Sequence, residues 1–144
     1  MVEKDTIKLL RECDAGVKMG VESICDVIDR VKSKELKQIL HANKDRHDEI
    51  DKELQQLLGR YGDDGKEPSF MAEKMSKFKT EMKLAMDETD STVADLMTDG
   101  CNMGVKSLNK YLNKYAAADE KSKDLTKRLI NLEASLAVDL RKFL

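Results

Sequence analysis

Two histidines, His41 and His47, and three cysteines, Cys13, Cys25 and Cys101, are the side chains best suited to bind a metal or attack a substrate. A two-metal carboxylate centre between helices takes a carboxylate from each of two helices and a Glu-x-x-His pair from each of two others. The spacing matters because residues three apart project from one helical face and reach one ion together. Gln38 stands three before His41, and Lys44 three before His47, so the chain contains no Glu-x-x-His. A di-iron oxidase or ferroxidase centre is therefore not expected. The cysteines are odd in number and form no Cys-x-x-Cys pair, which suggests neither a disulfide framework nor a thiolate zinc site. They fall among apolar positions and are expected as small buried side chains in a reducing cytoplasm.

A smaller constellation remains. Asp14, Asn43 and His47 interrupt otherwise apolar stripes. Counted from a turn near residue 32, Asp14 lies 18 residues before it and His47 15 after it. At 1.5 Å per residue their heights differ by only ~4–5 Å. A hydrogen-bonded Asp14–His47 pair is expected near the core, where the carboxylate favours the charged imidazole. With Glu133 on a potentially inward face, Asp14, His47 and Glu133 are also the candidate ligands for a single iron, manganese or zinc ion. No other cofactor is expected. No catalytic residue is assigned, because nucleophilic catalysis needs partnered groups in a cleft and a packed helical core seldom offers one.

The elements that would position these residues are helices. The chain has 144 residues, one proline and seven glycines, few aromatics, and 38% charged against 40% hydrophobic residues. That length fits one domain, residues 1–144, and the composition points to an all-α fold. Ile7, Leu10, Asp14, Val17, Val21, Ile24, Ile28 and Val31 form a stripe that predicts a helix over about 5–31, with Asp5 or Thr6 as its cap. Ser33 caps a second helix, whose stripe runs through Leu36, Ile39 or Leu40, Asn43, His47, Ile50, Leu54 and Leu57. A turn-rich segment follows, with Gly62, Gly65 and Pro68. Met71, Met75, Phe78 and Met82 then predict an extra amphipathic segment, interrupted around residues 87–91. A third long helix follows, and after a link at 117–119 the fourth carries Leu125, Leu129, Leu132, Leu136 and Leu140.

The halves of the chain resemble one another. Lys18-Met19-Gly20-Val21-Glu22-Ser23-Ile24 reads against Asn102-Met103-Gly104-Val105-Lys106-Ser107-Leu108, and Lys32-Ser33-Lys34-Glu35-Leu36 against Lys121-Ser122-Lys123-Asp124-Leu125. The expected architecture is a four-helix bundle of two pseudo-repeated antiparallel hairpins. Hairpin 1 covers about 5–58, a long crossover about 59–90, and hairpin 2 about 91–144. The glycine pairs Gly16/Gly20 and Gly100/Gly104 are expected to let helices approach closely.

Several segments carry a named resemblance. Glu35-Leu36-Lys37-Gln38-Ile39-Leu40 with Lys52-Glu53-Leu54-Gln55-Gln56-Leu57-Leu58-Gly59, Asp14-Ala15-Gly16-Val17, and Gly100-Cys101-Asn102-Met103-Gly104-Val105 resemble the helices of a bacterial family of ferritin-like bundles of unassigned function. The resemblance implies a ferritin-like fold and leaves the activity open.

The remaining features narrow the function by exclusion. A net charge of −2, with lysines interleaved among acids, gives no track for nucleic acid. No apolar run is long enough for a signal peptide or a transmembrane span, so a cytoplasmic protein is expected. The sequence favours a non-catalytic module that self-associates as a homodimer or binds a protein partner, with the methionine stripe expected as a gap-filling core or interface rather than as an adaptable partner-binding face. A metal- or small-ligand-binding protein centred on Asp14, His47 and Glu133 is the alternative.

Overall fold

Among the described residues, three helices start on a side-chain oxygen that accepts an otherwise unpaired backbone N–H. Ser33 accepts from Leu36 N at 3.2 Å, Thr89 from Thr92 N at 3.2 Å, and Asp119 from Ser122 N at 2.8 Å. The computed structural model describes residues 3–144, apart from the side chains of residues 70–72, 74, 75 and 78. Over that range the fold is all-α, with five helices: α1 Lys4–Ile28, α2 Lys34–Arg60, α3 Phe70–Met86, α4 Asp90–Lys114 and α5 Glu120–Leu140. A short 3-10 turn, Arg141–Phe143, follows. Among the described residues no helix is long and apolar enough to cross a membrane.

Paired residues give the direction of each helix. Asp14 meets Gln55, so α1 and α2 are antiparallel; Glu53 meets Arg128 and His47 meets Glu133, so α2 and α5 are antiparallel as well. Thr6 meets Asp119 and Cys13 meets Thr126, which makes α1 and α5 parallel. α4 packs on both α5 and α1, and it starts at the α1–α2 turn, where Asp90 meets Lys32 N, and ends near the start of α1, where Ala117 N meets Asp5, so it is antiparallel to α1. Consequently α2 and α4 run the same way. The segment 61–89 carries the chain back between them, with α3 ion-paired to α4 through Lys79–Asp99 and Lys83–Asp95.

Asp5 and Thr6 do not cap α1. Glu3 occupies that position without a side-chain bond. Asp5 instead accepts from Ala117 N at 3.0 Å, and Thr6 Oγ1 accepts from Asp119 N at 2.8 Å, so both secure the turn between α4 and α5. At the opposite end the Asp90 carboxylate accepts from Lys32 N and Ser33 N, both at 2.8 Å, and secures the turn between α1 and α2. The four long helices are thus tied at both ends by carboxylates and hydroxyls that satisfy turn amides.

The buried face of α1 is rotated from the expected stripe. Leu9, Cys13 and Val27 are buried, whereas Ile7, Val21 and Ile28 are only partly covered. The cause is that α1 contacts α2, α4 and α5 and so buries a wider face than a two-helix contact needs. Val31 is buried although α1 ends at Ile28. Cys25 is exposed, contrary to expectation, while Cys13 and Cys101 are buried. Of the methionine stripe, Met71, Met75 and Phe78 lie outside the described side chains, and Met82 is 52% exposed. Among the described side chains of α3, Leu84 is buried.

Two apolar clusters fill the interior. One gathers Ile24, Leu36, Leu40, Val93, Met97 and Leu140; the other gathers Leu10, Val17, Leu54, Leu57, Leu125 and Leu129. Between them lies a polar layer built on His47 and Glu133.

Candidate functional site

His47 and Glu133 face each other across the α2–α5 contact. The imidazole Nε2 stands 2.7 Å from Glu133 Oε1, with His47 only 1% exposed and Glu133 8%. The other ring nitrogen, Nδ1, lies 3.0 Å from the backbone oxygen of Asn43, one turn earlier on α2. A backbone carbonyl can only accept, so Nδ1 carries a hydrogen. Nε2 then holds a proton between itself and Glu133, because a bare lone pair facing a carboxylate would be repelled. Burial alone would lower the histidine pKa. The hydrogen bond to Glu133, that carboxylate's charge and the Asn43 carbonyl together outweigh burial and raise it above the ordinary value. The raised pKa favours the charged imidazole in this buried pair.

Helices α1 and α4 close the pair on its other sides with small residues. A Cβ on Gly20 would stand 2.8 Å from His47 Nε2 and 3.3 Å from Glu133 Oε1, so any larger residue there collides with the bridge. A Cβ on Gly104 would lie 3.6 Å from Glu133 Oε2, an ordinary contact. Gly16 would also tolerate a Cβ, and Gly100 faces open space. The glycines therefore do not act as a matched set for close helix approach; Gly20 is the one that the packing demands. Cys101 of α4 is buried near Glu133, and burial, with the charge of that carboxylate, pushes its thiol pKa far up. A thiol held protonated in this way is a poor nucleophile.

Asp14 does not join this centre. Its side chain is fully buried and accepts from Gln55 Nε2 at 2.9 Å, from Lys18 Nζ at 3.0 Å and from the backbone N of Lys66 at 2.9 Å. Asp14 is level with Gln55, and His47 is level with Gly20. The eight residues from His47 to Gln55 correspond to about 12 Å along α2. The expected Asp14–His47 pair is thus displaced by the stagger of α2 against α1, which a count from the turn does not reveal. Of the residues Asp14, His47 and Glu133, the fold brings together the last two. Among the described residues no group of three or more His, Cys, Asp and Glu side chains is placed to hold a metal ion.

The Asp14 node has its own purpose, which is to seat the segment after α2. Gly65 has φ +81°, and a Cβ there would collide with the Asp14 carboxylate. Around that contact Arg11 pairs with Asp63 at 2.5 Å, Glu12 with Lys66 at 2.6 Å, and Lys18 with Glu67 at 2.7 Å. One edge of α1 thus binds residues 63–67. Gln55, Gly65 and Lys66 escaped the sequence reading because a contact between a loop and a helix leaves no periodic trace. The one available signal was Asp14 itself, a carboxylate on an apolar stripe that had to find donors.

Beyond these two nodes, an open groove of about 220 Å³ between α1 and α2 is lined by Val17, Lys18, Val21, Glu22, Asp48 and Asp51. It does not reach His47.

No curated protein and no solved structure matches the chain. A family profile described as a domain of unknown function, DUF2383, does match. The matched stretch contains Asp14, Gly20, His47 and Gly104 and stops before Glu133. It covers residues 5–114, more than half of the chain, and the protein therefore belongs to the DUF2383 family.

Proposed function

We propose that this protein is a non-catalytic helical module that acts by association, first with itself, within a ferritin-like four-helix bundle of two related hairpins. The order of directions supports that frame. α1 and α5 run one way, α2 and α4 the other, and a long crossover joins the middle two, as in ferritin-like connectivity. The free state of all three cysteines accords with a cytoplasmic setting.

One observation carries the non-catalytic reading, and it is the saturation of His47. Both ring nitrogens are committed, Nδ1 to the Asn43 carbonyl and Nε2 to Glu133, so the imidazole has no lone pair for a metal and no contact with solvent for a substrate. Metal binding to histidine requires a deprotonated nitrogen, and here the bridge holds the proton in place. What the chain offers to other molecules is its outer surface, where Met82, Met86 and Met103 are the most exposed methionines described. Such side chains adapt to varied partners.

Two measurements test the reading. Elemental analysis of protein purified without chelator should return iron, manganese and zinc well below one per chain. Sedimentation velocity over a wide concentration range should show a reversible monomer–dimer shift. Stoichiometric metal that is lost in His47→Ala, or a strict monomer at the highest concentrations, would overturn it.

A further inference from the structure

The apolar stripe of α5 repeats itself. Leu125, Leu129, Leu132, Leu136 and Leu140 are all buried and follow one another at helical spacing. A stripe of one residue type can fill a core in more than one alignment of the helix along its own axis. One such alignment lies a single turn away, about four residues or 6 Å toward the α4–α5 link. After that shift Leu129, Leu136, Leu140 and Leu144 take the seats of Leu125, Leu132, Leu136 and Leu140, and Ile130 takes that of Thr126.

Most ties of α5 to its neighbours survive the shift or resist it weakly. Asn43 Nδ2 donates to the backbone oxygen of Leu132, a group that every residue carries. Arg128 and Glu53 pair at the surface, where such pairs contribute little. The bonds of Asp5 to Ala117 N and of Thr6 to Asp119 N hold the link itself, and they persist if residues 120–123 unwind into it. Cys13 loses its bond to Thr126. The polar layer is the strong exception. Ala137 comes to face His47, and Glu133 enters the seat of Leu129 in the cluster of Leu10, Val17 and Leu54. A carboxylate and an imidazole are then each buried without the other, which is strongly unfavourable.

We propose that the buried His47–Glu133 pair is the register key of this bundle, selecting one alignment of α5 against α2 that the leucines alone leave open. Fixing register is the best-attested use of a polar group placed in an apolar helical interface. That role is independent of any association with a partner.

Disulfide trapping reads the register directly, because Cys13 Sγ lies 3.1 Å from Thr126 Oγ1. In a Cys25→Ser background, which removes the exposed thiol, Thr126→Cys reports the native alignment and Ile130→Cys the shifted one. Each protein is equilibrated in a thiol redox buffer at low concentration, and the fraction closed within the chain is read by mass spectrometry. With His47 and Glu133 in place, the bond to position 126 should be favoured over the bond to 130 by about a hundredfold or more, as expected where a buried pair must otherwise be broken. In His47→Leu/Glu133→Leu that preference should fall about tenfold or more, because the shifted alignment then buries only apolar side chains. A folded leucine variant that keeps the full preference would overturn the proposal. So would a leucine variant that does not fold, since the pair would then supply stability rather than register.

Discussion

Gly20 of α1 leaves the space that His47 of α2 occupies: a Cβ at position 20 would stand 2.8 Å from the imidazole Nε2. The absence of one methyl group thus lets a buried ion pair sit between two apolar clusters. Gly20→Ala should overpack the centre and destabilise the fold by about 1–3 kcal/mol. Gly100→Ala, where a Cβ meets nothing within 4 Å, should stabilise it by about 0.5–1 kcal/mol through helix propensity. Urea denaturation of the two variants measures both effects, and equal losses would contradict the placement of the pair.

The bridge should behave as a unit. His47→Leu leaves Glu133 buried without its counter-charge, and breaking such a pair costs about 3–5 kcal/mol. Glu133→Leu should also destabilise, since Nε2 of the buried imidazole loses its partner. The double variant His47→Leu/Glu133→Leu should recover much of the loss, because an apolar replacement of a buried pair is often neutral. A double-mutant cycle by chemical denaturation gives the coupling; additive losses would mean that the two side chains do not interact.

The pH dependence follows from the histidine. Its pKa in the folded protein is raised above the ordinary 6.5, with the carboxylate outweighing burial. The stability it contributes is fully present below the unfolded value and is lost as the pH rises through the folded one. Thermal midpoints should therefore fall as the pH is raised above 6.5, and the His47→Leu/Glu133→Leu variant should lack this component. A wild-type profile identical to that of the double variant would contradict the ion pair.

The Asp14 node predicts a local effect. Asp14→Ala removes the acceptor of the Lys66 N–H and one partner of Gln55, which keeps Asp51, and the unmade bond to the backbone costs about 1–3 kcal/mol. Limited proteolysis should then cut first within residues 61–69, well before the long helices. Uniform cleavage along the chain would place the weak point elsewhere.

Much of the frame was legible in the sequence because helical stripes are local. The Ser33 cap, the stripe of α2 through Leu36, Asn43, His47 and Leu54, and the leucines of α5 all follow from spacing alone, while the choice of Leu40 over Ile39 came from the fold. That His47 and Glu133 point inward was also legible. Their partnership was not, since it depends on the register of α2 against α5 and no local signal records that register. The same limit produced the expected Asp14–His47 pair, which the stagger of α1 and α2 separates. Asp5 and Thr6 illustrate a second limit: a residue fitted to cap its own helix was recruited by a turn more than a hundred positions away.

The central claim is that a proton is locked between His47 and Glu133 and that the imidazole is closed to metal. Nitrogen-15 NMR of the His47 ring at pH 7, before and after one equivalent of zinc, iron(II) or manganese(II), tests it most directly. Both ring nitrogens should show the shifts of a protonated imidazolium, unchanged by any of the three ions. A deprotonated Nε2 whose signal moves or broadens on adding metal would contradict the claim and make the pair a metal ligand set.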